Sequence, residues 1–353
     1  MKTMFLSPLV ISFSLFFIVH VVGLAWTTDT ERGLDTVLRL LPFSLFGFLW
    51  LAAKLEKKEI YINSFVFGLA ACAVLAHYNL FHQMYPDLLM EGITTGKREG
   101  NETAPFLSHI MYSPLLACGI FFLSWSLINI KSSLNFFLVK FFVLILLLSN
   151  LMFSTGRAGF LMLIILISSL IVFKSRNIKI AFLKIIIIIP FCILIAYNVS
   201  DSVQSRVNAG IGDVTSFSEN PNSSVGGRIV FAIQTFDMYK QNMLVGVGTG
   251  DLLIEYPKYV KEEFNEVVNP YNPHNQYLMV AATTGSIGLF FLLAIFYLGF
   301  KHSNSQGRAI IFGYIMICLV ESYLWRSNTG LAFIYFVAIF TQRQSFLFSS
   351  TIK

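Results

Sequence analysis

The chain has 353 residues, of which 56% are hydrophobic and 12% charged, with 36 phenylalanines and a mean hydropathy of +0.69. So few polar side chains cannot cover a water-facing globule of that size, which excludes a soluble multidomain protein and leaves a polytopic membrane protein. The net charge of +6 does not indicate a nucleic-acid binder, because the basic residues stand singly between apolar runs and form no stripe.

A spanning helix needs about 20 largely apolar residues. In chain order, that criterion predicts spans near 4–25, 36–53, 60–83, 106–128, 134–153, 158–173, 180–197, 276–300 and 309–325. A shorter run, 330–341, ends before Gln342 and Arg343, which fits a tilted, buried or half-spanning segment. Lys2, an apolar run and small residues near Ala25 resemble a signal peptide, but the length and the many spans that follow predict an uncleaved anchor. Cys72, Cys118, Cys192 and Cys318 lie in apolar runs without CxxC spacing, so neither a disulfide framework nor a zinc site is expected.

Lys and Arg accumulate in cytoplasmic loops. One alternating set of loops holds Lys54, Lys57 and Lys58, then Lys131, then Lys174, Arg176 and Lys179, then Lys301 and Arg308. The opposite set holds Asp29, Glu31 and Asp35 with Arg32, then 86–104, then a hydrophilic insert, 200–275, with nine acids against five bases. The insert is therefore expected outside and the N-terminus in the cytoplasm. The resulting organisation is 1–197, a bundle of about seven helices; 198–275, an external loop with amphipathic helices; and 276–353, the last helices. The fold class is all-α, polytopic, with about ten membrane helices. No internal repeat suggests an inverted-repeat transporter.

Within the insert, the Gly-, Ser- and Asn-rich stretch 208–224 is expected to be mobile. After Gly227, Arg228 is followed by Ile229, Val230, Ile233, Phe236 and Tyr239 at helical spacing, an amphipathic segment suited to a membrane surface. Gly246, Gly248 and Gly250 form a GxGxG run with Asp251. No strand precedes it, so a turn and cap before a second amphipathic segment, 252–264, is expected rather than a dinucleotide site, with Pro257 breaking that segment.

The run from Asn269 through Pro270, Tyr271, Asn272, Pro273, His274 and Asn275 to Gln276 carries the clearest signal. Asn272 reads as an N-cap and Pro273 as the first helical residue, which places His274 in the first turn of the eighth span at the external surface. There its ring either serves as a proton acceptor beside an anion site or caps the loop. Arg157, where the fifth span turns into the sixth, shares that outer face with Arg228, Arg39 and Arg326. Guanidinium groups bind phosphate oxygens in bidentate fashion, so these four suit a lipid-linked phosphate or diphosphate, although an arginine at a helix lip can also snorkel. Glu321 lies inside the ninth apolar run, where burial demands a partner such as Arg326 or Arg157. A structural ion pair is the preferred reading over a catalytic carboxylate. His20, His77, His82, His109 and His302 have no metal-ligand spacing, and no HExxH, GxSxG or P-loop occurs.

Taken in order, Gly227 with Arg228, the Gly246 to Gly250 turn, Pro273-His274-Asn275, and Gly285 with Gly288 and Leu289 resemble the O-antigen ligase and polymerase superfamily of bacterial envelopes. Ser154 to Ala158 is similar to its upstream Ser/Arg motif, Glu321 to Gly330 to a segment near the C-terminus of many members, and Gly23-Leu24-Ala25-Trp26 with Arg39 to an earlier part. The resemblance implies a GT-C-type membrane glycosyltransferase that acts on the periplasmic face of the bacterial inner membrane. Its donor is an undecaprenyl-diphosphate-linked glycan; its acceptor is lipid A-core for a ligase, or another lipid-linked repeat for a polymerase, and the ligase is favoured. His274 matches the histidine proposed to activate or orient the acceptor hydroxyl. Arg157 and Arg228 match the arginines proposed to hold the diphosphate, with Arg39 and Arg326 as further donor-binding candidates and Glu321 and Asn275 in support. The scheme is inverting and uses no metal, cofactor or nucleic acid. A lipid or polysaccharide transporter is the competing class.

Overall fold

A computed structural model describes residues 7–53, 57–85, 104–129, 133–154, 156–199, 201–215, 223–261 and 272–341. Most of the stretch 86–104, residues 262–271 with Pro270 and Tyr271, and Gln342 with Arg343 lie outside the described residues. Among the described residues the structure is helical, with one isolated antiparallel bridge between Ser303 and Thr341. Among the described residues, eight helices are long and apolar enough, by length and composition, to cross a membrane. The chain forms two compact units, Met1–Glu56 with Gly210–Lys353, and Lys57–Ala209.

The first unit contains α1 (Pro8–Val22), α2 (Thr30–Ser44) and α3 (Phe46–Ala52). The second contains α4 (Lys58–Met84), α5 (His109–Asn129), α6 (Leu134–Phe153), α7 (Arg157–Lys174) and α8 (Ile178–Val199); α9 (Asp201–Thr215) follows. Helix thus reaches into the stretch 208–224 as far as Thr215, and 216–222 lie outside the described residues. In the second unit α5 packs on α6 and α7, and Tyr112 Oη of α5 donates to Asn150 Oδ1 of α6 at 2.8 Å. The first unit continues with α10 (Ser224–Gln241), α11 (Leu252–Glu255), a 3-10 turn (Tyr256–Tyr259), α12 (Gln276–His302), α13 (Ser305–Ile317) and α14 (Ser327–Phe340). Ser223 caps α10 by accepting from Gly226 N, and Pro257, in the first turn of the 3-10 segment, breaks the second amphipathic segment as its sequence suggests. Aromatic rings fill the interior: Phe13 stacks on Phe46 at 3.9 Å, and Phe333 meets Phe13, Phe296 and Tyr314.

Two of the later predicted spans are not single rods. In α12, Gly285 has φ 67° and ψ −165°, a conformation open to glycine. A straight helix would separate Tyr277 from Phe296 by about 28 Å along its axis, yet their rings lie 6.1 Å apart. A Cβ on Gly288 would come within 3.3 Å of Val280 Cγ1. The arm 276–284 therefore doubles back on the arm 286–302. Such an elbow strips backbone groups of their helical partners, and the GxGxG run supplies replacements. Val247 N donates to Ala282 O at 2.9 Å and Gly248 N to Thr283 O at 3.1 Å, while Ser286 N donates to Met243 O at 2.7 Å. Gly246, at φ 71°, sits so close to the Thr283 backbone that no side chain fits. Asp251 anchors the clasp by accepting from Thr28 N and Asp29 N at 2.8–2.9 Å.

The ninth predicted span, 309–325, is likewise broken. α13 ends at Ile317 and α14 begins at Ser327; at about 20 Å each, neither helix alone matches a hydrocarbon core of about 30 Å. The turn between them is tied to α12: Gln276 N donates to Cys318 O at 2.9 Å, and Gln276 Oε1 accepts from Leu324 N at 2.8 Å and Trp325 N at 3.2 Å.

Candidate functional site

The elbow and the 318–326 turn bring His274 to Glu321. The helix that follows His274 begins later than its sequence suggests: the N-cap is Asn275, whose Oδ1 accepts from Tyr277 N and Leu278 N, both at 3.0 Å. Asn272 instead accepts from His274 N at 2.8 Å. Two asparagines competed for the cap, and the Asx turn at Asn272 holds His274 outside the helix at φ 49°. A left-handed non-glycine residue costs on the order of 1–3 kcal/mol and persists only where its surroundings fix it.

Those surroundings are specific. His274 Nδ1 lies 2.8 Å from Glu321 Oε2. Glu321 is 2% exposed, and its Oε1 accepts from Ser322 N at 2.9 Å and faces Arg326 Nη2 at 3.3 Å. It sits in the turn outside the spanning helices. Burial there opposes its charge, but the His274 hydrogen bond, the Arg326 charge and the Ser322 N–H outweigh burial and bring its pKa down to about 2. An ionised carboxylate only accepts hydrogen bonds, so the proton between the two side chains rests on Nδ1 of His274. The ring's Nε2 is then the atom open to other chemistry. Phe231, on α10, stacks against the imidazole at 6.1 Å.

The expected ion pair of Glu321 with Arg326 is present, and the contact with His274, which the sequence did not indicate, joins it. Asn275, besides capping, donates from Nδ2 to Leu319 O at 3.0 Å, locking the His274 segment to the turn. Arg228 lies one turn before Phe231 on α10, and its charge reaches buried Tyr323. Arg326 keeps a buried Nε without a hydrogen-bond partner. Arg39 pairs with Asp35 at 2.7 Å and lies 4.8 Å from the Trp325 ring centroid, beside Arg326 in sequence. Arg157 belongs to the second unit, where it opens α7 directly after Gly156, which packs on Ser113 of α5. Gln276 and Phe231 were missed at the level of sequence. A polar residue directly after a Pro-His-Asn run was the available signal for Gln276; a lone aromatic on an apolar helix face gave none for Phe231.

No curated protein matches the chain. Residues 142–293, a stretch that includes Arg157, Arg228 and His274 and stops before Glu321, match a family model described as O-antigen ligase. This match joins the ordered motifs in supporting the assignment of the chain to the O-antigen ligase and polymerase superfamily.

Proposed function

We propose that this membrane protein transfers O-antigen or a related glycan from undecaprenyl diphosphate to lipid A-core oligosaccharide, with inversion, on the periplasmic face of the inner membrane, within a GT-C-type architecture. The family match supports the coarser reading, an O-antigen ligase- or polymerase-type membrane enzyme. The observation that carries the finer one is the His274–Glu321 contact at 2.8 Å.

In this scheme Nε2 of His274 takes the proton from the acceptor hydroxyl as its oxygen attacks the anomeric carbon. A bond forms from that carbon to the acceptor oxygen, and the bond to the phosphate oxygen breaks on the opposite face. Undecaprenyl diphosphate leaves with the bonding electron pair. Glu321 stabilises the imidazolium formed, and guanidinium groups stabilise the charge gathering on the leaving group. Arg326 is suited to that role by its 3.3 Å contact with Glu321, Arg228 by lying one turn before Phe231, which stacks on His274, and Arg39 by its place over Trp325. The role that the resemblance gives to Arg157 is tested by its own Arg157→Ala substitution.

Polymerisation of lipid-linked repeats is the second reading, favoured by the breadth of the matched family. Deleting the gene and resolving lipopolysaccharide on a gel separates the two. Loss of a ligase leaves bare core with lipid-linked polymer accumulating; loss of a polymerase leaves core capped with a single repeat. Normal lipopolysaccharide in the deletion strain contradicts both, and a transporter predicts that His274→Ala retains activity.

A further inference from the structure

Three consecutive apolar side chains of the clasp, Met243, Leu244 and Val245, are 52%, 73% and 47% exposed. Their position is fixed by the span they hold: Ser286 N donates to Met243 O, Ser286 Oγ to the same oxygen at 2.8 Å, and Tyr239 Oη meets Ser286 Oγ at 2.7 Å. Ser286 begins the arm 286–302, whose 17 residues cover about 25 Å, most of a hydrocarbon core. Along that arm Ile287, Phe290, Leu293 and Tyr297 are exposed at helical spacing, the mark of a lipid-facing stripe. The 243–245 turn lies at the head of this stripe, so three large apolar side chains that would be a liability in water continue a surface already facing lipid.

Beside the turn, within two helical turns back along α10, a groove of about 440 Å³ is lined by Asp237, Lys240, Gln241, Lys258, Tyr259, Val260 and Lys261. Asp237 is held between Lys240 Nζ at 2.6 Å and Lys261 Nζ at 3.3 Å, and hydrogen bonding from Lys240 keeps its pKa low despite partial desolvation. Lys258 pairs with Glu255 at 2.6 Å. The groove's lining presents three ammonium groups and the Asp237 carboxylate, with the Glu255 carboxylate paired to Lys258, so the bases exceed the acids by one. Each ammonium has three donors, so one bound to a carboxylate oxygen can still reach a phosphate. Lys240 also lies 5.3 Å from the Phe236 ring centroid, with Phe236 47% exposed, so its stem follows apolar surface while its head stays polar, as at a bilayer interface.

We propose that the 243–245 turn is immersed in the bilayer leaflet on the side of the 200–275 insert, and that the adjoining lysine groove binds the phosphate of anionic phospholipid headgroups. The insert is then anchored at its clasp, next to the elbow that carries His274, and this holds whichever glycan the site transfers.

The test uses the full chain in nanodiscs. A Leu244→Trp variant is expected to add fluorescence that phospholipids brominated on the acyl chain quench and aqueous acrylamide does not; the reverse pattern overturns immersion. For the groove, the gain in thermal stability on titrating phosphatidylglycerol into phosphatidylcholine discs gives an apparent affinity. Each of Lys240→Gln, Lys258→Gln and Lys261→Gln is expected to weaken it about fivefold, while a triple Lys→Arg variant keeps it. Equal gains for the parent and the triple Lys→Gln variant overturn the headgroup site, as does the same gain from inorganic phosphate in pure phosphatidylcholine discs. Circular dichroism shows that each variant retains the parent's helicity before its result is counted.

Discussion

Both units bury polar side chains among apolar helices, but the two sets differ in kind. In the second unit, Tyr112 hydrogen-bonds Asn150 at 2.8 Å and Ser149 Oγ meets His77 Nε2 at 2.9 Å, ties that join helices without a carboxylate. In the first unit, Glu321, Arg326 and His274 bring an ionised acid, a guanidinium and an imidazole together in a broken helical turn. Uncharged hydrogen bonds suffice to set helix register. A buried charge pair contributes less to stability than its desolvation costs unless its geometry is excellent, and here the pair comes with a left-handed histidine and two broken spans. Such accumulated cost at one place points to chemistry rather than architecture.

That contrast can be broken by substitution, beginning with the largest expected effect. His274→Ala should lower the transfer rate by about 10²- to 10⁴-fold, the range for loss of a general base. A rate within twofold of the parent, measured with lipid-linked donor, removes His274 from the chemistry. Glu321→Gln keeps the shape but not the charge. Loss of a hydrogen bond to a charged group, about 1.5–3 kcal/mol, corresponds to a ten- to hundredfold slower reaction, and Glu321→Asp should be intermediate.

The same carboxylate gives a signed pH dependence. Its folded pKa, about 2, lies below the ordinary value of 4.5, so its contribution to stability is complete above about pH 4.5 and is lost as pH falls toward 2. Thermal melts in detergent should show the parent losing more stability than Glu321→Gln across that interval; parallel curves would contradict a charged Glu321.

Gly285→Ala places a Cβ against the Leu244 backbone at φ 67° and should destabilise by at least about 1–3 kcal/mol, read as a lower melting temperature. In the second unit, Tyr112→Phe should cost about 1 kcal/mol and leave the rate per folded molecule unchanged. A fall in that rate would show that the second unit's hydrogen bonds serve more than packing.

Much of this contrast was legible in the sequence. Apolar length marked the spans in the first 199 residues because each is closed by its own helical hydrogen bonds, a local property. Hydropathy alone could not locate the elbow at Gly285 or the turn at 318–326, since both lie inside apolar runs and depend on distant backbone partners, Met243 for Ser286 and Cys318 for Gln276. The GxGxG run read correctly as a turn, but what it turns around is 35 residues or more downstream. At the site, the pairing of Glu321 with Arg326 followed from the need to neutralise a buried acid. The cap assignment went to Asn272 because a proline usually follows a cap; the structure gives it to Asn275, and the difference puts His274 outside the helix facing Glu321.

The most direct measurement reconstitutes the purified chain in nanodiscs with undecaprenyl-diphosphate-linked glycan and lipid A-core, and counts products. The parent should release one undecaprenyl diphosphate for each glycan joined to core, and His274→Ala should do neither. Glycan transfer by His274→Ala at the parent's rate would contradict the account.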